Sequence, residues 1–430
     1  MTNRVLQPGM SRRRLIGTGL AAGAGALFAP SLARAQARQI KIGYVGSLSG
    51  IRAIFGEAER WTLERMQRLV ADGLTINGVN YAVELVIRDN QSDPTRSASI
   101  AQELVMRERC HLILAQDGDG GAQVAELADV RGIPTISTMV PWQAMFFPRG
   151  GDPAVGFPYF FHFFGGADGA LLNFVQMMDM VDTNRKVGTL YLDNDAGAGL
   201  MHPQFGLPAL LSQFNYQEVA AGPFQIATND FSAQIARFAR EETDILSGFL
   251  FPDHFIPFWN QVRQAGLSPK AVIVAAAFLF PGGVNALGES GNGVATEVWW
   301  SPAFPYGSSL TGQTAAALAA EWEETTGAQW TQPLGYGHAL WEIGLGALAS
   351  AEDPTDRDAI RDAIAGFDRE TVVGRVNFAS SPVRSVAITN MVGGQWQRRG
   401  GRHESELLVV NNVSDPSVPV EAEMITMGGA

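Results

Sequence analysis

The sequence predicts an α/β protein built as two doubly wound parallel-sheet lobes, and three observations carry that prediction. Short apolar runs alternate with amphipathic helical stretches along nearly the whole chain after residue 37. That is the pattern of βαβ units wound about a parallel sheet. The alternation comes as two consecutive series of similar size, separated by a Pro- and Phe-rich connection. Finally, 430 residues, 46% of them hydrophobic, provide more apolar material than a single core usually holds.

In the first series, "IKIGYVG" (40–46) reads as a strand. Phe55 to Val70 follows with Ala58, Thr62, Met66 and Leu69 at helical spacing. "YAVELVIRDN" (81–90) alternates as a second strand, and 93–108 is a helix with Pro94 suited to its first turn. A buried strand (111–118), a helix closed by Gly132 (122–132) and a further strand (133–138) complete the series. The second series repeats the alternation through "KVGTLYLDND", "DILSGFLFPD" and "AVIVAAAF" as strands. Two strong helices, "TAAALAAEWEETTG" and "GHALWEIGLGALASA", come next. The tail changes to hairpin-like strands, with a turn expected at Gly393-Gly394.

The first 37 residues read as an export signal rather than as part of the fold. Arg12 to Arg14 are followed by a Gly- and Ala-rich apolar run and then by small residues in A-x-A spacing. Ser11-Arg12-Arg13 resembles a twin-arginine start. No later run reaches the ~20 apolar residues of a membrane span. A formal net charge of −12 disfavours nucleic acid and anionic membrane as partners. The single cysteine, Cys110, rules out an intramolecular disulfide and reads as a packed thiol.

No catalytic or metal motif is present. The six histidines are scattered, with no H-E-x-x-H and no Cys/His spacing for a metal. "DGDGG" and "DNDAG" have calcium-loop beginnings, but Ala128 and Gln204 stand where the closing glutamate belongs. The stretch "GSLSG" (46–50) misses the G-x-S-x-G nucleophile elbow, because Leu48 holds the central place. An exported hydrolase using Ser47, Ser49 or a carboxylate pair is therefore the weaker alternative to a binding protein. What stands out is small and polar residues at the ends of strands: Ser47 and Ser49, Asp117 and Gly118, Ser137 and Thr138. Open α/β sheets bind ligands beyond the carboxyl ends of their strands.

Residues 38 to about 412 resemble the substrate-binding proteins of ABC transporters for branched-chain amino acids and amides. The resemblance is carried by "IKIGYVGSLSG", "VELVIRDNQSDPTRSASIAQELV", "VRGIPTIST", "NDFSAQIARFAREETDI" and "FWNQVRQAGL". It implies the type I periplasmic binding fold, with a multi-strand hinge at roughly 160–166, 298–302 and 370–374. Lobe segments of 38–163, 164–300, 301–372 and 373–430 follow from the same pattern. It also implies a periplasmic monomer that delivers a small ligand to an ABC permease, with no cofactor, metal or catalysis, the alternative being a periplasmic ligand sensor of the same fold. Phe55, Asp117, Gly118, Ser137 and Thr138 fall at its ligand loops, and the "GSLSG" loop reads as a cradle. Two departures stand out. Ala196 replaces a common tyrosine, and Ala277 and Phe278 occupy the region where amino-acid binders carry an acidic residue. Asp195 or Asp253 is the expected substitute counter-charge, and Phe251, Phe278, Trp299, Trp300 and Tyr336 are expected to add aromatic surface.

Overall fold

The computed structural model describes residues 38–50, 52–116 and 118–427, so the expected export signal lies outside the described residues. Among the described residues, sixteen strands form two seven-stranded sheets and one ribbon. They are β1 (Gln39–Gly46), β2 (Leu74–Ile76), β3 (Val79–Asp89), β4 (Leu112–Ala115), β5 (Thr135–Ser137), β6 (Phe160–Phe164), β7 (Lys186–Leu192) and β8 (Gln217–Phe224). The chain continues through β9 (Ile245–Phe249), β10 (Ala271–Ala275), β11 (Val294–Val298), β12 (Asp368–Thr371), β13 (Gly374–Asn377), β14 (Val386–Ile388), β15 (Val392–Gln397) and β16 (Glu406–Asn411). The first sheet runs β14-β6-β5-β4-β1-β3-β2 and the second β16-β15-β11-β10-β9-β7-β8.

Both sheets are parallel except at their margins, where β2 pairs with β3 and β15 with β11 and β16 in antiparallel fashion. The β2–β3 hairpin turns on Asn77 and Gly78, whose φ of 50° and 76° give the doubly left-handed turn that suits strand twist. All four residues of β4 and all five of β6, β9 and β10 are buried. Such continuous apolar strands belong to sheets covered on both faces. The helix Pro94–Gln102 starts where Pro94 suggested, with the Asp93 carboxylate accepting from the N–H groups of Thr95 and Arg96. The Cys110 thiol is fully buried, and burial pushes its pKa up to about 12.

Three findings differ from the expectation. The alternation marks no strand in the Pro- and Phe-rich connection, yet β6 lies there, within the hinge segment 160–166 that the resemblance implies, because "FFHFF" is buried on both faces and so shows no alternation. Gly393 and Gly394 do not turn the chain. They lie inside β15 at a register shift, and the turn falls between Gln397 and Glu406. A Cβ on Gly394 would sit 2.3 Å from Val298 Cγ2, so glycine here lets β15 close on β11. The third crossover is also not at 370–374. Those residues belong to the β12–β13 ribbon, and the pairing of β14 with β6 keeps the chain in the first sheet as far as Ile388. The segment from 373, expected to serve the second lobe, thus lends a strand to the first.

The chain passes between the sheets after β6, after β11 and between β14 and β15. The first two crossovers leave from the C-terminal ends of parallel strands, and the third leaves from the end of β14 and enters β15 opposite Val298. All three therefore join the C-terminal edge of one sheet to that of the other. Substituting Gly394 by Ala should lower the unfolding free energy by about 1–3 kcal/mol, the range for an overpacked core, as read by urea denaturation.

Candidate functional site

The C-terminal edge of the first sheet is tightly organised. Ser47, just past β1, is buried and donates its hydroxyl to Asn90 Oδ1 at 2.9 Å. Ser49 donates to Asp89 Oδ2 at 2.6 Å, and the Leu48 N–H donates to Asp89 Oδ1 at 3.1 Å. Burial works to raise the Asp89 pKa, but these bonds and the Gln91 N–H outweigh it and hold it low. The "GSLSG" loop is thus tied to the end of β3, and neither serine meets a histidine.

At the end of β5, Ser137 Oγ lies 2.7 Å from His162 Nδ1, and just past it the Thr138 hydroxyl donates to the Phe163 carbonyl at 2.8 Å. His162 Nε2 faces the Val140 carbonyl at 2.9 Å, which makes it the N–H and leaves Nδ1 to accept from Ser137. Burial lowers the His162 pKa to about 4, so the ring is neutral near pH 7. The contact ties β5 to β6 and to the segment at Val140 that follows β5. Its histidine is oriented by a backbone carbonyl, not by a carboxylate as in a catalytic triad.

An aromatic cluster joins the two edges. Phe55, in the turn Ala53–Gly56 after β1, meets Phe280 edge-on at 4.9 Å and stacks near Trp299 at 6.5 Å. Phe280 follows β10 and Trp299 follows β11, so both belong to the second sheet's edge. Trp299 also meets Phe164 at 5.2 Å and Tyr336 at 5.9 Å. Tyr336, fully buried on the helix Pro333–Ser350, packs on Phe164 at 4.8 Å and hydrogen-bonds Thr389 Oγ1 at 2.8 Å.

The expected residues therefore divide. Phe55 and Tyr336 join the cluster between the edges, and Ser47, Ser137 and Thr138 lie beneath the first edge with their hydroxyls engaged. Gly118 opens the helix Gly118–Arg131, and Asp117 lies outside the described residues. Asp195 and Asp253 are exposed in the first turns of the helices Asp195–Leu200 and Pro252–Gln264. Phe251 is half-buried against Phe249 at 5.3 Å. Phe278 packs inside the second lobe, 4.5 Å from Phe255, while its carbonyl accepts from Trp396 Nε1.

Sequence reading missed two residues. Gln116, at the end of β4, donates to the Phe55 carbonyl at 2.7 Å and carries a buried Oε1 with no protein partner. Glu297, near the end of β11, is an enclosed carboxyl whose pKa burial pushes up to about 7. A lone glutamate in the apolar run "GVATEVWW" was the available signal. Among the described residues no group of three or more His, Cys, Asp or Glu could hold a metal ion.

The family model for periplasmic binding proteins matches residues 39–402. This chain belongs to that family. An ABC transporter substrate-binding protein from Sphaerobacter thermophilus shares the fold at TM-score 0.71 and 20% identity, over 88% of this chain and 98% of that one. Leucine-binding protein LivK from Thermotoga maritima gives 0.68 and 17%, over 87% and 99%. A solute-binding protein from Rhodopseudomonas palustris BisB5, solved with 3,4-dihydroxybenzoic acid, gives 0.68 and 17%, over 91% and 99%. Comparison with curated protein sequences found no match. The two sheets of this periplasmic binding protein form the two lobes of the type I fold.

Ser137→Ala would leave the buried His162 Nδ1 without a donor. It should reduce the unfolding free energy by about 1–3 kcal/mol, measured by urea denaturation at pH 7.

Proposed function

We propose that this protein is the exported solute receptor of an ABC importer. It binds a small carboxylate, amide or amino-acid-like ligand between the two strand edges and closes about it by a hinge at the three crossovers. The contact of Phe55 with Phe280 and Trp299 is the observation that supports this reading best. It brings apolar surface from both lobes to the edges where α/β sheets take ligands. A ligand that touches both edges favours the closed arrangement, and only such differential affinity shifts the equilibrium. Proteins of this fold from other organisms hold isoleucine or 3,4-dihydroxybenzoic acid, two ligands of the proposed size.

The receptor acts in the periplasm as a monomer and hands its ligand to a membrane permease. Among the described residues no helix is long and apolar enough to cross a membrane, which suits a carrier that diffuses to its permease. Catalysis is the poorer fit. Ser47 and Ser49 are engaged by Asn90 and Asp89, and Ser137 is buried against a histidine without a carboxylate partner.

A thermal-shift panel of aliphatic amino acids, short amides and aromatic or aliphatic carboxylates tests the reading. A true ligand at 100 times its Kd should add about 2.7 kcal/mol of stability and be recovered unchanged. Turnover of an ester or amide substrate would contradict it.

A further inference from the structure

The second sheet carries a carboxyl group with no positive partner among the described residues. Glu297 stands one residue before the end of β11, on the edge that the crossovers join to the first sheet. Protein atoms surround it, yet it keeps some accessible surface at the strand edge. Thr296 Oγ1 donates to its Oε2 at 2.8 Å, and the N–H groups of Glu297 and Ala276 also favour its ionised form. Ala276, the first residue beyond β10, has a φ of 67°. For a residue with a Cβ that conformation is strained, and such strain gathers where a site needs it. Among the described residues no Lys, Arg or His forms an ion pair with Glu297, and no second charge acts on it.

The backbone here is fixed relative to the aromatic cluster. Gln332 Oε1 accepts from the Trp299 N–H at 2.7 Å, and its Nε2 reaches the Glu297 carbonyl at 3.4 Å. Two residues past the carboxyl, the Trp299 ring lies against Phe55 of the opposite lobe. An enclosed carboxylate without a cation is costly, and a ligand cation arriving in the cleft would remove that cost.

We propose that Glu297 is the specificity-determining residue of the cleft, and that it anchors a cationic amino group of the ligand while the aromatic cluster takes its apolar body. Asp195 and Asp253, exposed at helix starts, are not needed for that role. The proposal rests on the receptor reading and adds the requirement for an amine.

The test uses pairs that differ by the amino group: L-leucine with 4-methylpentanoate, and L-phenylalanine with 3-phenylpropanoate. Titration calorimetry at pH 7 should find the amine member bound ~100-fold tighter or more, the scale set by a buried charge left unpaired. Glu297→Gln should reduce that preference below about tenfold, with most of the loss on the amine member of each pair. Burial pushes the Glu297 pKa up to about 7, which favours its protonated form while no cation is near. Amine binding to the unaltered protein should therefore release protons, read in two buffers of different ionisation enthalpy. This second readout stands even if the variant fails to fold. Equal affinity for the two members of each pair, an amine preference that survives Glu297→Gln, or binding without proton release would overturn the assignment while leaving a receptor. Binding of none of the four compounds would overturn the assignment together with the receptor reading for this class of ligand.

Discussion

Tyr336 is the side chain on which the arrangement of the two lobes depends. Its ring packs on Phe164 at the first crossover and on Trp299 at the second, and its hydroxyl bonds Thr389 at the third. One buried tyrosine thus touches every chain passage between the sheets. The neighbouring Gly335 is part of the same constraint, because a Cβ there would sit 2.3 Å from the Trp300 ring. Only glycine lets the helix Pro333–Ser350 approach so closely. Trp300 in turn donates to the Val372 carbonyl at 3.0 Å and so ties the ribbon to the crossover. Parallel sheets present their strand ends at one edge, and this knot sets two such edges toward each other.

Much of the fold was legible because it rests on local chemistry. Strands with polar neighbours, helices with capping residues and Pro94 at a first helical turn all announce themselves within a few residues. Whatever depended on distant contacts was not legible. β6 hides in a Phe-rich run because full burial removes the period of two that marks a strand. Gly393-Gly394 looks like a turn, since nothing local reveals that Val298 and Met177 crowd those two positions from other elements. The third crossover depends on the pairing of β14 with β6, more than 200 residues apart in sequence, which no window of sequence contains.

The site divided in a similar way. The resemblance puts Phe55 at a ligand loop, and its ring lies where the two strand edges meet, while the Ser/Thr loops lie after strands as their position suggests. Their hydroxyls nevertheless proved to be engaged in holding the edge together, a role that depends on His162, Asn90 and the Phe163 carbonyl. Tyr336, expected to add aromatic surface, is buried among the crossovers, a position that depends on Phe164, Trp299 and Thr389. Glu297 was passed over because a glutamate in a strand ordinarily faces water. Only the three-dimensional neighbourhood, with Ala276 turned into a left-handed conformation beside it, distinguishes this carboxyl from a solvated one.

The central claim is that a small ligand draws the two strand edges together across the crossovers. Pulsed spin-label distances between cysteines placed at Arg131 and Gln204, one exposed site on each lobe, address it directly. Cys110 is fully buried with its thiol pKa pushed up to about 12, so label goes to the introduced sites. A shorter or narrower distance distribution on adding a compound that stabilises the protein is the predicted result. An unchanged distribution at saturation with that compound would contradict hinge closure.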